Sequence, residues 1–559
     1  MNAASGPSSS MPSGAHEAPG TGTARAPRVP AWVWIAGLLA AVVHIAPYWR
    51  AAANTPQGWT FTANLSVSPD YMQYRVWERQ TPVEGVFVTN RFTPEPNGRH
   101  LPVMPYWVVG KLAAWTGVSP EWTYAWLGSL FALAFAPLLY IAVRRFSPSA
   151  AAVPWVFTVT LAGGGLGGYI KFLEDMAWVR NNYLLNSLLI QPFAGEGRAV
   201  PFENYRGNYV VQALFDTHFL LYWLVTLLAV LALWRALERF SWPRLALAAL
   251  LFALGTWMHV YEGLTLLVIA AGACIAVWRK GVPPRTALLA LVSCGVAVAA
   301  VLVPLGIVYR SGGLPAPEWR GLTVEFSVLV MAYPVAWLLI VPGVARFWRD
   351  AGVEGAFLVG WATSLVLLTL SGPIFPYPDR GTMTLQIPLM IVAGALFFAR
   401  WSRPGWKSIV VLILLSGSTL AFIADSWADR TRFTEDQPHK YLSAEHREII
   451  GVLREQAGPR DVLVADQPPL RWLAPEYPGV HYAGHFFLTP GFSMRRDSLA
   501  AFWTTAPEQQ ATFLRERNAR WLFVEAARDP ARFERVPGLR LVRAAPFGAL
   551  FRFDPEGGT

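Results

Sequence analysis

Residues 66–80 read SVSPDYMQYRVWERQ and set Asp70 behind a proline and ahead of two tyrosines and an arginine, shortly after the first membrane-length apolar run. A carboxylate so placed is either a general base, taking a proton from a reacting hydroxyl, or a helix N-cap or solvated loop acid. Arg380 follows Asp379 in SGPIFPYPDRGTM, framed by prolines and aromatics at the mouth of an apolar run. It either holds a phosphate or snorkels to the interface; Arg91, Arg99 and Lys171 are alternatives for the first role. His259 and Glu262 in WMHVYEGL, three apart at the end of a run, share a ligand or a proton, or satisfy each other. Glu174 and Asp175 in KFLEDMAW orient an acceptor or a metal, or are simply solvated at a helix exit. His485 and Thr489 in GHFFLTPG contact an acceptor or shape a turn.

Two features invite chemistry and do not carry it. LAGGGLGGY, residues 161–169, lacks the Lys-Ser/Thr of a phosphate cradle and ends an apolar run, so its glycines serve tight helix contact or a flexible exit. Cys274 and Cys294 fall inside consecutive apolar runs, where a small soft side chain packs.

The elements that position these groups follow from composition. With 559 residues, 54% of them hydrophobic, 14% aromatic and only 15% charged, the chain is too apolar for a soluble protein and reads as a polytopic α-helical membrane protein. The net charge of +10 is spread as pairs and triplets between apolar runs, which marks cytoplasmic loops and sets nucleic acid aside as a partner. Residues 1–30 are rich in Ser, Gly, Pro and Ala and are expected to be a disordered cytoplasmic tail. Arg25 and Arg28 then precede a run with no small-residue cleavage site, a retained signal anchor.

Runs of roughly 17 to 23 residues, enough to cross about 30 Å of hydrocarbon, recur about eleven times. They lie near 31–49, 122–143, 151–170, 214–234, 244–261, 263–278, 286–308, 323–345, 354–371, 383–399 and 407–424. Basic clusters such as Arg144 and Arg145, or Arg279, Lys280 and Arg285, occupy alternate connections, which are then cytoplasmic. The opposite connections, 50–121, 171–213, 309–322 and 372–382, are longer, acidic and aromatic, and everything after 425 falls on their side. Function is expected there, with the amino terminus in the cytoplasm of a plasma (inner) membrane. Within the large first outer loop, 50–121, MPYWVVGKLAAWTG is too short and amphipathic to span and reads as an interfacial helix.

The segment 430–559 changes to mixed charge and shorter periods. Ser443 caps a helix through AEHREIIGVLREQ; strands follow at DVLVAD and GVHYAG, a helix at PEQQATFLRERNA, and strands at RWLFVEA and GALFRFD. This is a small extracytoplasmic α/β domain.

Three motifs recur in one order on one side of the membrane. Pro69, Asp70 and Tyr74 match a Pro-Asp-Glu-x-x-Tyr type motif, with Tyr71 where Glu is often found. His100, Pro102 and Pro105 follow a His-Pro-Pro type segment loosely, and VHYAGHFFLTPG looks like a Gly-His plus Thr-Pro loop. On these motifs and the topology of 31–425 the chain resembles the GT-C glycosyltransferases, in the branch of the protein O-mannosyltransferases and lipid A aminoarabinose transferases. The resemblance implies a sugar moved from a polyprenyl-phosphate donor to an extracytoplasmic glycan, lipid or protein acceptor, with inversion. It makes Asp70 the base and points to Tyr74 and His100 for substrate contacts; Glu174, Asp175, His259, Glu262, Arg380 and His485 join them as substrate-contact candidates on the residue readings above. Membrane lipids are its surroundings; no cofactor is expected, and no divalent metal is indicated.

Elementary chemistry agrees with such a reaction. Glycoside hydrolysis needs both a carboxylic acid and a carboxylate, but a polyprenyl phosphate leaves as a good anion, so one base for the acceptor and positive charge for the phosphate are the chief needs. The rival reading is a transporter or flippase of a lipid-linked or cell-envelope substrate. Against it stand the few charges within the spans and the lack of paired broken helices. A third reading is an assembly protein whose outer domain binds a partner, for which eleven spans are more than an anchor needs.

Overall fold

The computed structural model describes residues 28–65, 69–147, 150–163, 181–182, 214, 216–311, 329–330, 333–350, 352–374, 380–398 and 405–556. The tail up to residue 27, Lys171, Glu174, Asp175 and Asp379 lie outside the described residues. Labels below count only described elements.

The chain opens with α1 (Ala31–Ala53), then β1 (Thr60–Phe61), α2 (Pro69–Glu84), the strands β2 (Phe87–Val88) and β3 (Leu101–Pro102), and α3 (Met104–Thr116). The bundle continues through α4 (Pro120–Phe146), α5 (Val153–Ala162), α6 (Thr217–Glu238), α7 (Trp242–Met258), α8 (Val260–Trp278) and α9 (Pro284–Ser311). It closes with α10 (Pro334–Ile340), α11 (Val344–Asp350), α12 (Gly352–Leu370), α13 (Arg380–Phe398) and α14 (Trp406–Thr431). Local chemistry sets the boundaries. Ser119 Oγ accepts from the Trp122 amide at 3.3 Å with Pro120 at the first position of α4, and Arg144 and Arg145 occupy its last turn, opposite the helix dipole.

Among the described residues six helices, α1, α4, α6, α8, α9 and α12, are long and apolar enough to cross a membrane. On α9, Leu288, Val292, Val296, Val303 and Ile307 recur at helical spacing, each 51% to 63% exposed. An apolar stripe left open on a long apolar helix faces lipid. The chain is a polytopic helical membrane protein. α8 and α12 cross through Gly272 and Gly360, where an added Cβ would stand 2.6 Å from the Gly360 carbonyl oxygen and 2.4 Å from that of Gly272 respectively. Without a hydrophobic drive between helices in lipid, close backbone approach is what holds such a pair.

These six match six of the eleven expected runs, and two of the remaining five differ in outline. In the run near 323–345 the described part breaks into α10 and α11 around Val341-Pro342-Gly343, where proline removes an amide donor and disfavours an unbroken helix. Helix α14, at the run near 407–424, continues past 425 to Thr431.

The C-terminal part contains β4 (Tyr441–Leu442), α15 (Ala444–Gln456), β5 (Val462–Val464), α16 (Gln467–Leu473), β6 (Val480–His481), α17 (Phe492–Phe502), α18 (Pro507–Glu516), β7 (Ala519–Glu525), β8 (Leu539–Ala545) and β9 (Gly548–Phe553). The sheet runs β6-β5-β7-β9-β8, parallel across the first three strands and antiparallel across the last three. Ser443 closes a capping box with His446 at the start of α15. β1 pairs antiparallel with β4, Thr60 opposite Leu442, so the connection after α1 and the domain after α14 sit at one end of the helical bundle.

Candidate active site

Asp70 lies in the first turn of α2, where the dipole favours a negative charge. The stretch read as loop is therefore a helix, because Pro69 starts it and Tyr71, Met72, Arg75, Val76 and Glu78 repeat at helical spacing as its buried face. That face includes charge. Arg75 and Glu78 pair at 2.7 Å with almost no exposure, and burial pushes the Glu78 carboxyl up to about 8 against the pull of Arg75. One turn on, Arg79 grips Glu121 of α4 at 2.8 Å and Glu476 of the C-terminal domain at 2.6 Å. A single guanidinium thus fixes α2 between the helical bundle and the C-terminal domain.

The C-terminal domain reaches Asp70 directly. His485 Nε2 lies 3.4 Å from Asp70 Oδ1, within ion-pair range but without the alignment of a hydrogen bond, the imidazole fully buried and the carboxylate 38% exposed. His485 Nδ1 accepts from the Phe487 amide at 3.3 Å, which leaves the ring proton on Nε2, facing Asp70. Gln73 Nε2 approaches the same carboxylate oxygen at 3.5 Å.

The loop carrying His485 is stitched to residues 90–92. Thr489 Oγ1 accepts from the His485 amide at 3.0 Å and donates to the Phe92 carbonyl at 2.6 Å, and Asn90 Nδ2 donates to the Leu488 carbonyl at 2.6 Å. Gly484 is needed there, since a Cβ would meet the Phe92 ring at 2.7 Å. Thr489 is thus part of the turn, while His485 both shapes it and touches Asp70.

On the bundle side of Asp70, one helical turn along α2, Tyr74 stacks on Tyr106 of α3 at 4.7 Å and on His218 of α6 at 5.5 Å. The Tyr106 hydroxyl lies 3.1 Å from His218 Nδ1, and the His218 and His259 rings meet edge to face at 5.3 Å. His218 is oriented from below, because Asp216 Oδ1 accepts both its amide, at 3.0 Å, and the Tyr124 hydroxyl, at 2.9 Å. Arg380 opens α13, and its charge acts on Tyr74, His218, His259 and Glu262. A carboxylate, a row of aromatic and imidazole rings, and a guanidinium are thereby gathered at the head of the bundle.

Asp70, Tyr74, His259, Glu262, Arg380 and His485 all take part in this gathering. His259 and Glu262 do not satisfy each other. His259 is the extended residue between α7 and α8, and among the described residues neither its Nδ1 nor either Glu262 oxygen has a hydrogen-bond partner. His100 precedes β3 with its ring against Gly98, Arg91 is paired with Glu84 at 3.2 Å, and Arg99 donates to the Glu84 carbonyl at 3.3 Å. The sequence reading missed Arg75, Arg79, Tyr106, Asp216 and His218. Asp216 and His218, two apart in FDTHFLLYW and opening an apolar run, were the available signal.

No family model matches the sequence, and no curated protein does. Solved structures do. The archaeal oligosaccharyltransferase AglB from Archaeoglobus fulgidus, in complex with an inhibitory peptide and a dolichol-phosphate, aligns with a TM-score of 0.55 at 11% identity, over 90% of this chain and 70% of that one. ArnT from Cupriavidus metallidurans, bound to undecaprenyl phosphate, gives 0.55 at 14%, over 94% and 99%. The arabinofuranosyltransferase AftD from Mycobacteria gives 0.54 at 14%, over 95% of this chain and 40% of that one. The chain has the GT-C fold. The ArnT alignment takes in nearly the whole of both chains, so the GT-C likeness extends over the α/β domain as well as the bundle.

Proposed function

We propose that this protein is a glycosyltransferase that moves a sugar from a polyprenyl-phosphate donor to a hydroxyl of an extracytoplasmic glycan, lipid or protein acceptor. The observation that carries the reading is Asp70, partly exposed at the head of α2 with the His485 ring against one of its oxygens. The fold supports the donor class, since AglB and ArnT are described with dolichol-phosphate and undecaprenyl phosphate.

In this reading the Nε2–H of His485 comes into line with Asp70 Oδ1 when the acceptor binds, and Oδ2 accepts the acceptor proton. The freed oxygen attacks the anomeric carbon as the bond to phosphate breaks on the opposite face, giving inversion. The phosphate leaves as an anion and needs no proton. Arg380 holds it with a two-pronged charge, while Tyr74, His259 and Glu262 line the approach. The same reading puts the amino terminus in the cytoplasm and the α/β domain outside.

Reconstituted protein offered a panel of synthetic undecaprenyl-phosphate monosaccharides, with release of undecaprenyl phosphate followed by mass spectrometry, tests it. Release from one sugar by wild type, reduced about 10² to 10⁴-fold in Asp70→Asn, is expected. Equal release by the variant removes Asp70 from the chemistry, and no release from any donor overturns the reading.

A further inference from the structure

Beyond the Asp70 site, we propose that the outer domain carries a second binding site, a cleft for a neutral or amino-bearing carbohydrate. Parallel strands β6, β5 and β7 are wound so that the chain leaves β5 toward β6 through α16 and returns to β7 on the other side of β5. The crevice beyond the carboxyl ends of such diverging strands is where open α/β sheets bind ligands. Here it is an open cleft of about 610 Å³, within the usual range of ligand pockets, about 300 to 1,000 Å³. Pro468 and Pro469 after β5 and Glu525 at the end of β7 form its floor.

The lining states the ligand's chemistry. Glu435, Asp436, Glu445 and Glu525 face Arg471 alone among charged groups, so in a chain of net charge +10 this cleft is acidic and repels phosphates and uronates. Among the described residues these acids do not converge with a third ligand on one point that would hold a metal ion. Between them stand ring surfaces: Trp59, contributed by the connection after α1, and Phe547, stacked on His446 at 3.7 Å. His439 also lines the cleft at 8% exposure, and its Nε2 has no partner among the described residues. A buried imidazole nitrogen left unbonded costs free energy that a ligand hydroxyl would recover. Apolar ring faces beside carboxylate acceptors match a sugar, which offers C–H faces and a rim of hydroxyl or ammonium donors.

The site is independent of the transfer chemistry, and on the transfer reading it tethers a polymeric acceptor. The full-length protein in nanodiscs, applied to an array of neutral, amino-bearing and anionic oligosaccharides, provides the test. Neutral or amino-bearing glycans should be retained, with affinity falling at least about 10-fold in Glu445→Gln/Glu525→Gln at unchanged unfolding temperature. If that variant unfolds, the exposed pair Glu435→Gln/Asp436→Asn makes the same comparison. Retention of no glycan, preference for anionic glycans or for a basic peptide added in competition, or binding indifferent to these changes would overturn the proposal.

Discussion

The imidazole of His485, carried by the C-terminal domain, sets its Nε2 3.4 Å from the Asp70 carboxylate, buried and not yet aligned as a hydrogen bond. On the proposed reading that contact tightens when substrate binds; a donor to a charged oxygen is worth about 1.5 to 3 kcal/mol, so removing it lowers turnover roughly 10 to 100-fold. His485→Ala is expected to lower kcat with little change in acceptor KM. His485→Gln, whose amide nitrogen reaches the place of Nε2, is expected to recover much of the loss, whereas His485→Asn is too short to do so. Equal kcat in wild type and His485→Ala would reduce the contact to packing.

Arg380→Ala is expected to weaken donor use in KM and kcat together, and Arg380→Lys to restore charge without the planar fork and so recover only part. Donor titrations of the three proteins decide this. A wild-type profile in Arg380→Ala, with the protein still folded, moves the phosphate site elsewhere.

Acid should loosen the C-terminal domain. His481 is fully buried between Phe92 and Tyr477, and burial pushes its imidazole down from 6.5 to about 3. Below pH 6.5 the unfolded chain takes up a proton that the folded one refuses. Stability from this site is whole above that pH and is lost as pH falls toward 3, by up to about 1.4 kcal/mol per unit. His481→Phe should flatten the fall of unfolding temperature between pH 6.5 and pH 4; a slope identical to wild type refutes the assignment.

The buried pair on α2 gives an asymmetric mutational signature. Removing one partner of such a pair costs about 3 to 5 kcal/mol, whereas replacing both with apolar groups of similar volume is often neutral. Arg75→Met should therefore destabilise strongly, and Arg75→Met/Glu78→Leu should regain most of the loss in denaturant unfolding. A double variant as unstable as the single one shows that Arg75 serves another contact, such as its position over the Tyr124 ring.

What the sequence disclosed followed from periodicity and sign. Long apolar runs and the capped helix at Ser443 needed only local patterns, and the strands at DVLVAD and RWLFVEA stood out by their branched and aromatic residues. The helix around Asp70 did not stand out, because its buried face carries Arg75 and Glu78 in place of hydrophobes, and strand β8, LRLVRAA, has arginines at solvent positions along its length. Asp70 and Arg380 were legible as charged candidates in the connections between apolar runs. The rings between them were not, because Tyr106 and His218 gain meaning only when α3 and α6 meet.

Thr489 and Phe92 lie 397 residues apart in the chain, yet their hydrogen bond is part of what seats His485 on Asp70. Ribosomes make this chain from its amino end, so Asp70 and the described bundle helices emerge before the residues that seat His485. Docking of the α/β domain onto the first connection therefore follows insertion of the bundle, and on the proposed reading it is the step that brings His485 beside the base.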